Sequence, residues 1–193
     1  MGKSLTEMSL EELWQLFPIF LVKHKKEWSS WFKQESENIK SILPYGIIKR
    51  ISHIGSTAIP NIKAKNIVDI LLEVNDEKDI HKAKHILMKN NWLVMNEKPN
   101  RVSMNKGYTP NGFADKVFHL HIRTLGDNEE LYFRDYLTEN PEIAKEYEKL
   151  KVDLKEKFEH DRDMYTIGKS DFIKKYTSIA KKSYKNKYEK GLE

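Results

Sequence analysis

Apolar residues return along this chain with two different periods, and the switch from one to the other marks its segments. Ser9 is placed to cap a short helix over residues 9–17, with Glu11 and Glu12 in its first turn, and Pro18 stops or bends it. Residues 19–22 are short, apolar and extended. Over residues 26–43 the period is helical. Trp28, Trp31, Phe32, Glu35, Ile39 and Ile42 fall near one face, and Lys33, Glu37 and Lys40 fall on the other. Pro44-Tyr45-Gly46 ends that helix.

The pattern then turns strand-like. Residues 47–54 read as a strand leading into a Gly55-Ser56 turn, and residues 58–64 as a loop or one helical turn. Residues 67–74 are a short apolar run rich in branched side chains, free of Gly and Pro, as in a buried strand. Asp76 can cap a helix over residues 77–90, with Ile80, Ala83, Ile86 and Leu87 inward. Residues 92–95 and 101–108 are further strands. A turn at Thr109-Pro110-Asn111-Gly112 pairs the second of these with residues 115–123, where alternation is clean. Phe118, Leu120 and Ile122 point one way; Val117, His119, His121 and Arg123 point the other.

From about residue 127 the chain reads as helical. Helices are predicted over 128–137, over 140–160 with Pro141 in its first turn, and over 169–188, with a break at 161–165. Ile143, Tyr147, Leu150, Leu154 and Phe158 make the buried stripe of the middle one. The order is that of an α+β fold: a small mixed or antiparallel sheet, helices packed on it, and a helical C-terminal part.

Composition narrows the picture. A chain of 193 residues fits one domain spanning 1–193. With 39% hydrophobic and 33% charged residues, the helices must carry their charge on outer faces. The net charge of +5 is modest and concentrated in the last helix, so it points to anions only weakly. The absence of cysteine excludes disulfides, thiolate zinc sites and cysteine nucleophiles, and fits a reducing, cytoplasmic setting. No apolar run approaches the roughly 20 residues of a membrane span. The first twelve residues are too polar for a signal peptide.

Candidate chemistry gathers around one charge. Asp69 interrupts the apolar run Ile67-Val68-Asp69-Ile70-Leu71-Leu72, and an unpaired buried carboxylate is very costly. It therefore has a fixed cationic partner or faces a cleft. Upstream, Gly55 lets the backbone approach a phosphate, and the turn amides and hydroxyls of Ser56 and Thr57 can donate to its oxygens. The combination is similar to polymerase-beta-type nucleotidyltransferases, where a Gly-Ser turn precedes a strand carrying Asp-x-Asp that binds Mg²⁺. Here the second carboxylate is missing, since position 71 is Leu71, and Glu73 lies one residue pair further on. His119 and His121, two apart on one strand face, suit a metal or a phosphate, with Arg123 in the same row. His53 either points toward the same cleft or fills space in its strand. Lys65, Arg123 and Arg134 are candidate phosphate partners, and Arg134 and its neighbour Asp135 are expected to serve different partners. Tyr165 and Lys169 read most simply as a packing tyrosine and a surface lysine.

Together these residues resemble the GrpB family, bacterial proteins placed within the nucleotidyltransferase superfamily. The resemblance runs through Leu16-Phe17-Pro18-Ile19 with Trp28, the stretch from His53 through Gly55-Ser56-Thr57 to Pro60, Ala64-Lys65, and Val68-Asp69-Ile70. It continues through His119-Leu120-His121, Phe133-Arg134-Asp135-Tyr136-Leu137, Pro141 with Tyr147 and Lys151, and Tyr165-Thr166 with Lys169. Asn61 stands where the family usually has Gly, and Asn66 where it usually has Pro. The resemblance implies a nucleotidyltransferase-like fold. In some relatives the domain is joined to the kinase that completes coenzyme A synthesis, which implies contact with a nucleotide or pantetheine-type metabolite.

Three functional expectations follow. The first is a transferase moving a nucleotidyl group from a nucleoside triphosphate to a small acceptor or protein side chain. In it Gly55, Ser56 and Thr57 hold the phosphates, Asp69 is catalytic, and Asp69, His119 and His121 bind Mg²⁺ or another divalent cation. Lys65, Arg123 and Arg134 neutralise phosphate charge. The second is a non-catalytic module binding a nucleotide or phosphorylated metabolite on the same scaffold and acting on a partner protein. Nucleic acid is a distant third, because the basic last helix brings no base-reading motif.

Overall fold

The strands of the chain are β1 (Ile48–Ile54), β2 (Val68–Val74), β3 (Leu93–Lys98), β4 (Arg101–Thr109) and β5 (Gly112–Thr124). They lie in the order β1-β2-β5-β4-β3 in a computed structural model that describes residues 3–185 and 187–189. Neighbours are antiparallel except β2 and β5, which run parallel, so the sheet is mixed. The expected hairpin is present as β4–β5, closed at Pro110-Asn111 ahead of Gly112, whose φ is 102°.

The helices are α1 (Leu10–Leu16), α2 (Glu27–Ile42), α3 (Glu77–Met88), α4 (Glu129–Glu139), α5 (Pro141–Phe158), α6 (Arg162–Ile167) and α7 (Ser170–Ser183). Ser9 and Asp76 cap α1 and α3 by accepting from the amides of Glu12 and Asp79. Two expectations need correction. The predicted break at 161–165 is mostly α6, because Asp161 accepts the Met164 amide at 2.9 Å and caps a new helix. The last helix stops at Ser183 rather than 188, and residue 186 of that stretch lies outside the described residues. No helix among the described residues is long and apolar enough to cross a membrane.

Strand periodicity sorts the two sheet faces. Val68, Ile70, Leu72 and Val74 align with Phe118, Leu120 and Ile122 and pack on Trp28 and Ile39 of α2 and Ile80, Ala83 and Leu87 of α3. The opposite face carries Asp69, Leu71 and Glu73 beside His119, His121 and Arg123. Leu71 packs there on Ile54 of β1 and Leu131 of α4. The β2 run looks almost wholly apolar in sequence because both faces of that strand are covered. A second core joins Ile59 and Ile62 of the loop to Phe133, Tyr147 and Tyr176 of α4, α5 and α7. It fixes the helices over the polar face and leaves a cleft between them and the sheet.

Candidate functional site

The site is assembled from the strand register upward. Asp69 is opposite His119 in the parallel β2–β5 pair, and His121 follows two residues along the same face. His119 Nδ1 lies 3.3 Å and His121 Nε2 3.6 Å from Asp69 Oδ1. Burial alone would raise the Asp69 carboxyl, but the two imidazoles facing it outweigh burial and hold the group well below the ordinary carboxylate range. Asp69 therefore faces the cleft, the second of the two settings its sequence context allowed, with imidazoles rather than a fixed cation beside it.

Arg162 Nη2 donates to the Tyr108 hydroxyl at 3.0 Å, and Tyr108 lies 2.8 Å from His119 Nε2. Arginine only donates, so Tyr108 accepts from Arg162, and its contact with His119 runs in the direction the imidazole tautomer sets. Burial also disfavours the charged form of His119, against the pull of Asp69.

Gly55 closes the other side of the carboxylate. Its φ of 71° is in the region glycine favours, and a Cβ there would fall 2.3 Å from Asp69 Oδ2. The turn continues as a 3₁₀ segment, Ser56–Ala58, whose first internal bond is from the Ala58 amide to the Gly55 carbonyl. The Ser56 and Thr57 amides precede that bond, as orphan donors do at a helix start. The Tyr147 phenol is pushed upward by burial, with the Ser56 side chain acting the other way. The Thr57 hydroxyl is engaged by His53 Nε2 at 2.9 Å.

Cations complete the cleft, whose volume is about 1070 Å³ and whose walls include Gly55, Ser56, Thr57, Lys65, Asp69 and both histidines. Arg162, Lys151 and Lys169 also line it. Lys65 and Lys169 each lie against the buried Tyr165 ring, at 5.5 and 4.5 Å from its centroid. Lys151 is fully buried and donates to the Lys63 carbonyl. Burial lowers all three ammoniums: Lys65 and Lys151 to about 7 and Lys169 to about 8. Repulsion adds to burial, from Lys169 and Arg162 on Lys65 and from Lys169 on Lys151. Besides Asp69 the cleft is lined by the carboxylates of Asp127, Glu129, Glu130 and Asp163, and besides these four cations by Arg101, Lys174, Lys181 and Lys182.

The sequence-selected residues are thus only partly gathered. Gly55, Ser56, Thr57, Lys65, Asp69, His119 and His121 share the cleft. Arg123 is buried beyond His121, donating to the Ile122 carbonyl at 3.2 Å and facing Asp127 and Glu130 at 3.9 Å each. Arg134 lies outside the described lining; it donates to the His53 carbonyl at 2.8 Å and to Asp135 Oδ1 at 2.8 Å. Arg134 and Asp135 therefore share a bond, because a long arginine stem can fold back where Cβ directions diverge. His53 is on the α2 side, stacked on Phe32 at 5.0 Å. Glu73 is claimed by Arg50, Gly126 and Asn128.

Asp69, His119 and His121 do come together, but as a closed pairing of carboxylate and imidazoles. Among the described residues no three His, Cys, Asp or Glu side chains are arranged to hold a metal ion. As these side chains stand they do not fit a protein-held cation.

Arg162 and Tyr108 escaped the sequence reading, Lys151 entered it only through the family resemblance, and Lys169, expected as a surface lysine, lines the cleft. Arg162 fell in the supposed break. Lys151 had a visible signal: it lies four residues after Tyr147 and three before Leu154, on the buried stripe of α5.

The sequence model described as GrpB protein matches residues 18–178. The Glutamate-rich protein GrpB of Alkalihalophilus pseudofirmus is 36% identical over 163 residues, covering 80% of this chain and 91% of that one. UPF0157 protein YqkA of Bacillus subtilis is 31% identical over 179 residues; the match covers 90% of this chain but 51% of YqkA. The crystal structure of conserved protein GrpB from Enterococcus faecalis superposes with a TM-score of 0.74 at 30% identity, covering 86% of this chain and 99% of that one.

Proposed function

The chain belongs to the GrpB family, and from the charge of its cleft we propose that it binds a phosphorylated ligand there, a nucleoside triphosphate or phosphorylated metabolite. The observation that carries this reading is that Lys65, Lys151, Lys169 and Arg162 line the same cleft as Asp69, close enough together that the other three depress Lys65. Like charges crowded together at half-buried positions are unfavourable alone and become favourable around a polyanion. The Ser56 and Thr57 amides, beside a glycine that leaves room for close approach, are suited to phosphate oxygens.

In the catalytic form of this reading, Asp69 accepts a hydrogen bond from an acceptor hydroxyl and holds it against the α-phosphorus. A new P–O bond forms there as the bond to pyrophosphate breaks, the hydroxyl proton passes to solvent water, and Lys65, Lys169 and Arg162 neutralise the departing charge. Asp69 is too weak a base for more than positioning, given how firmly its ionised form is held. Leu71 in place of a second carboxylate favours the second reading, a module that binds the same ligands without turning them over.

Thermal-shift titration of the full chain with tripolyphosphate and nucleoside triphosphates, with and without Mg²⁺ or Mn²⁺, tests both. Stabilisation that is lost in Lys65→Ala and Lys169→Ala supports binding. Pyrophosphate release that disappears in Asp69→Asn distinguishes catalysis from capture. No stabilisation by any phosphate compound rejects the proposal.

A further inference from the structure

Behind Lys65 the protein has a second cavity. It measures about 300 Å³, and Lys65 forms part of its wall as well as part of the main cleft's. Its other walls include Phe20, Phe113 and Ile67, with Asn66 and Asp115 as polar groups. An unbroken aromatic line joins it to the carboxylate site. Tyr108 stacks on His119 with centroids 5.8 Å apart, Phe113 lies 5.2 Å from Tyr108, and Phe20 lies 5.8 Å from Phe113. The small cavity adjoins the cleft, with Lys65 and Ile67 in the walls of both.

The polar groups indicate what would fill it. Asn66 Oδ1 accepts from Trp28 Nε1 at 2.8 Å, which fixes the amide and leaves Nδ2 as a donor. Asp115 is exposed and supplies acceptors only. Phe20 keeps 39% of its surface exposed. A lone exposed aromatic is ordinary on a protein surface. Phe20, however, sits at the wall of a cavity with a second phenylalanine, an amide donor and a carboxylate acceptor. A hydrocarbon chain would make no use of either polar group, whereas a flat heterocycle with ring or exocyclic N–H groups uses the aromatic faces and the polar edge together.

We propose that this pocket is a base subsite, taking the heterocycle of a nucleoside triphosphate whose phosphates lie on Lys65, Lys169 and Arg162. The inference rests on the phosphate reading of the cleft and adds that the ligand is a nucleotide rather than a bare or sugar phosphate. Phe20 and Phe113 would stack on or edge against the ring, and Asp115 would accept from its N–H groups.

Calorimetric titration of the full chain with tripolyphosphate and with the four common ribonucleoside triphosphates tests it, on wild type, Phe20→Ala and Asp115→Asn. At least one nucleotide is expected to bind about tenfold or more tighter than tripolyphosphate, the range of a stacked base. Phe20→Ala is expected to remove that advantage while tripolyphosphate affinity stays within about twofold, and Asp115→Asn to reorder the nucleotides. An unchanged ligand-free unfolding midpoint shows that Phe20→Ala retains the fold. Tripolyphosphate binding as tightly as every nucleotide, or nucleotide affinity indifferent to Phe20→Ala, overturns the base subsite and leaves the phosphate cleft standing. Failure of tripolyphosphate and nucleotides alike to bind overturns both.

Discussion

Gly55 and Asp69 occupy touching space: a methyl group on the glycine would come within 2.3 Å of the carboxylate oxygen Oδ2. The turn backbone is thus the lid of the carboxylate, and its left-handed conformation, φ 71°, permits that approach. Gly55→Ala should destabilise the protein by about 1–3 kcal/mol from backbone strain, with the clash adding to it. Chemical denaturation measures the loss. An unchanged midpoint would mean the turn rearranges freely, contrary to the packing described.

The buried carboxylate on the same strand face has a different task. Glu73 is wholly buried and accepts from Arg50 Nε at 2.5 Å, the Gly126 amide at 2.9 Å and Asn128 Nδ2 at 3.0 Å. It ties β1 and β2 to the entry of α4. Glu73→Ala removes the acceptor that Arg50, the Gly126 amide and Asn128 share, so a loss of about 1–3 kcal/mol is expected in equilibrium unfolding. A loss below about 1 kcal/mol would show that the network is dispensable.

Phosphate binding should depend on pH with a definite sign. Lys65 titrates near 7 and Lys169 near 8 because burial and neighbouring cations depress them. A bound polyanion favours their charged forms, so protons are taken up on binding and affinity falls as pH rises from about 6 to 9. Calorimetry in buffers of different ionisation enthalpy reads the uptake directly. Affinity that rises with pH across that interval contradicts the assignment.

His53 gives a pH dependence of folding itself. Burial lowers its imidazole to about 4, and Arg134 adds to the effect against the pull of Asp69. Between that value and the unfolded value near 6.5 the unfolded chain binds the proton and the folded one does not. The His53 contribution is therefore complete above about pH 6.5 and is lost as pH falls toward 4. Wild type should lose about 2 kcal/mol more than His53→Phe between pH 7 and pH 4.5, after allowance for the ring's partial exposure. Parallel stability curves for the two proteins would rule this out.

The alternation in β5 was legible because a strand has a period of two. Once His119 and His121 share a face with Val117 and Arg123, the opposite face belongs to Phe118, Leu120 and Ile122, whatever the neighbouring strand. The amphipathic stripes of α2, α3 and α5 were legible for the same reason at period 3.6. Lys151 could have been read from its stripe as a buried lysine. Nothing local distinguishes Arg134, whose long side chain reaches the His53 carbonyl, from Arg162, whose long side chain reaches the cleft. Strands and helices of mixed polarity leave the reach of such residues to their surroundings.

By itself, then, the sequence determined the element types, the faces of each element, and the residue types available for phosphate chemistry, because those follow from periodicity and side-chain chemistry along a few consecutive residues. Only the tertiary structure decided which faces meet. The parallel pairing of β2 with β5 sets Asp69 against His119, and the packing of α5, α6 and α7 over that face brings Lys151, Arg162 and Lys169 to the carboxylate. Such encounters join residues as many as 100 positions apart (Asp69 and Lys169). They are settled by how whole layers pack, which no local pattern encodes.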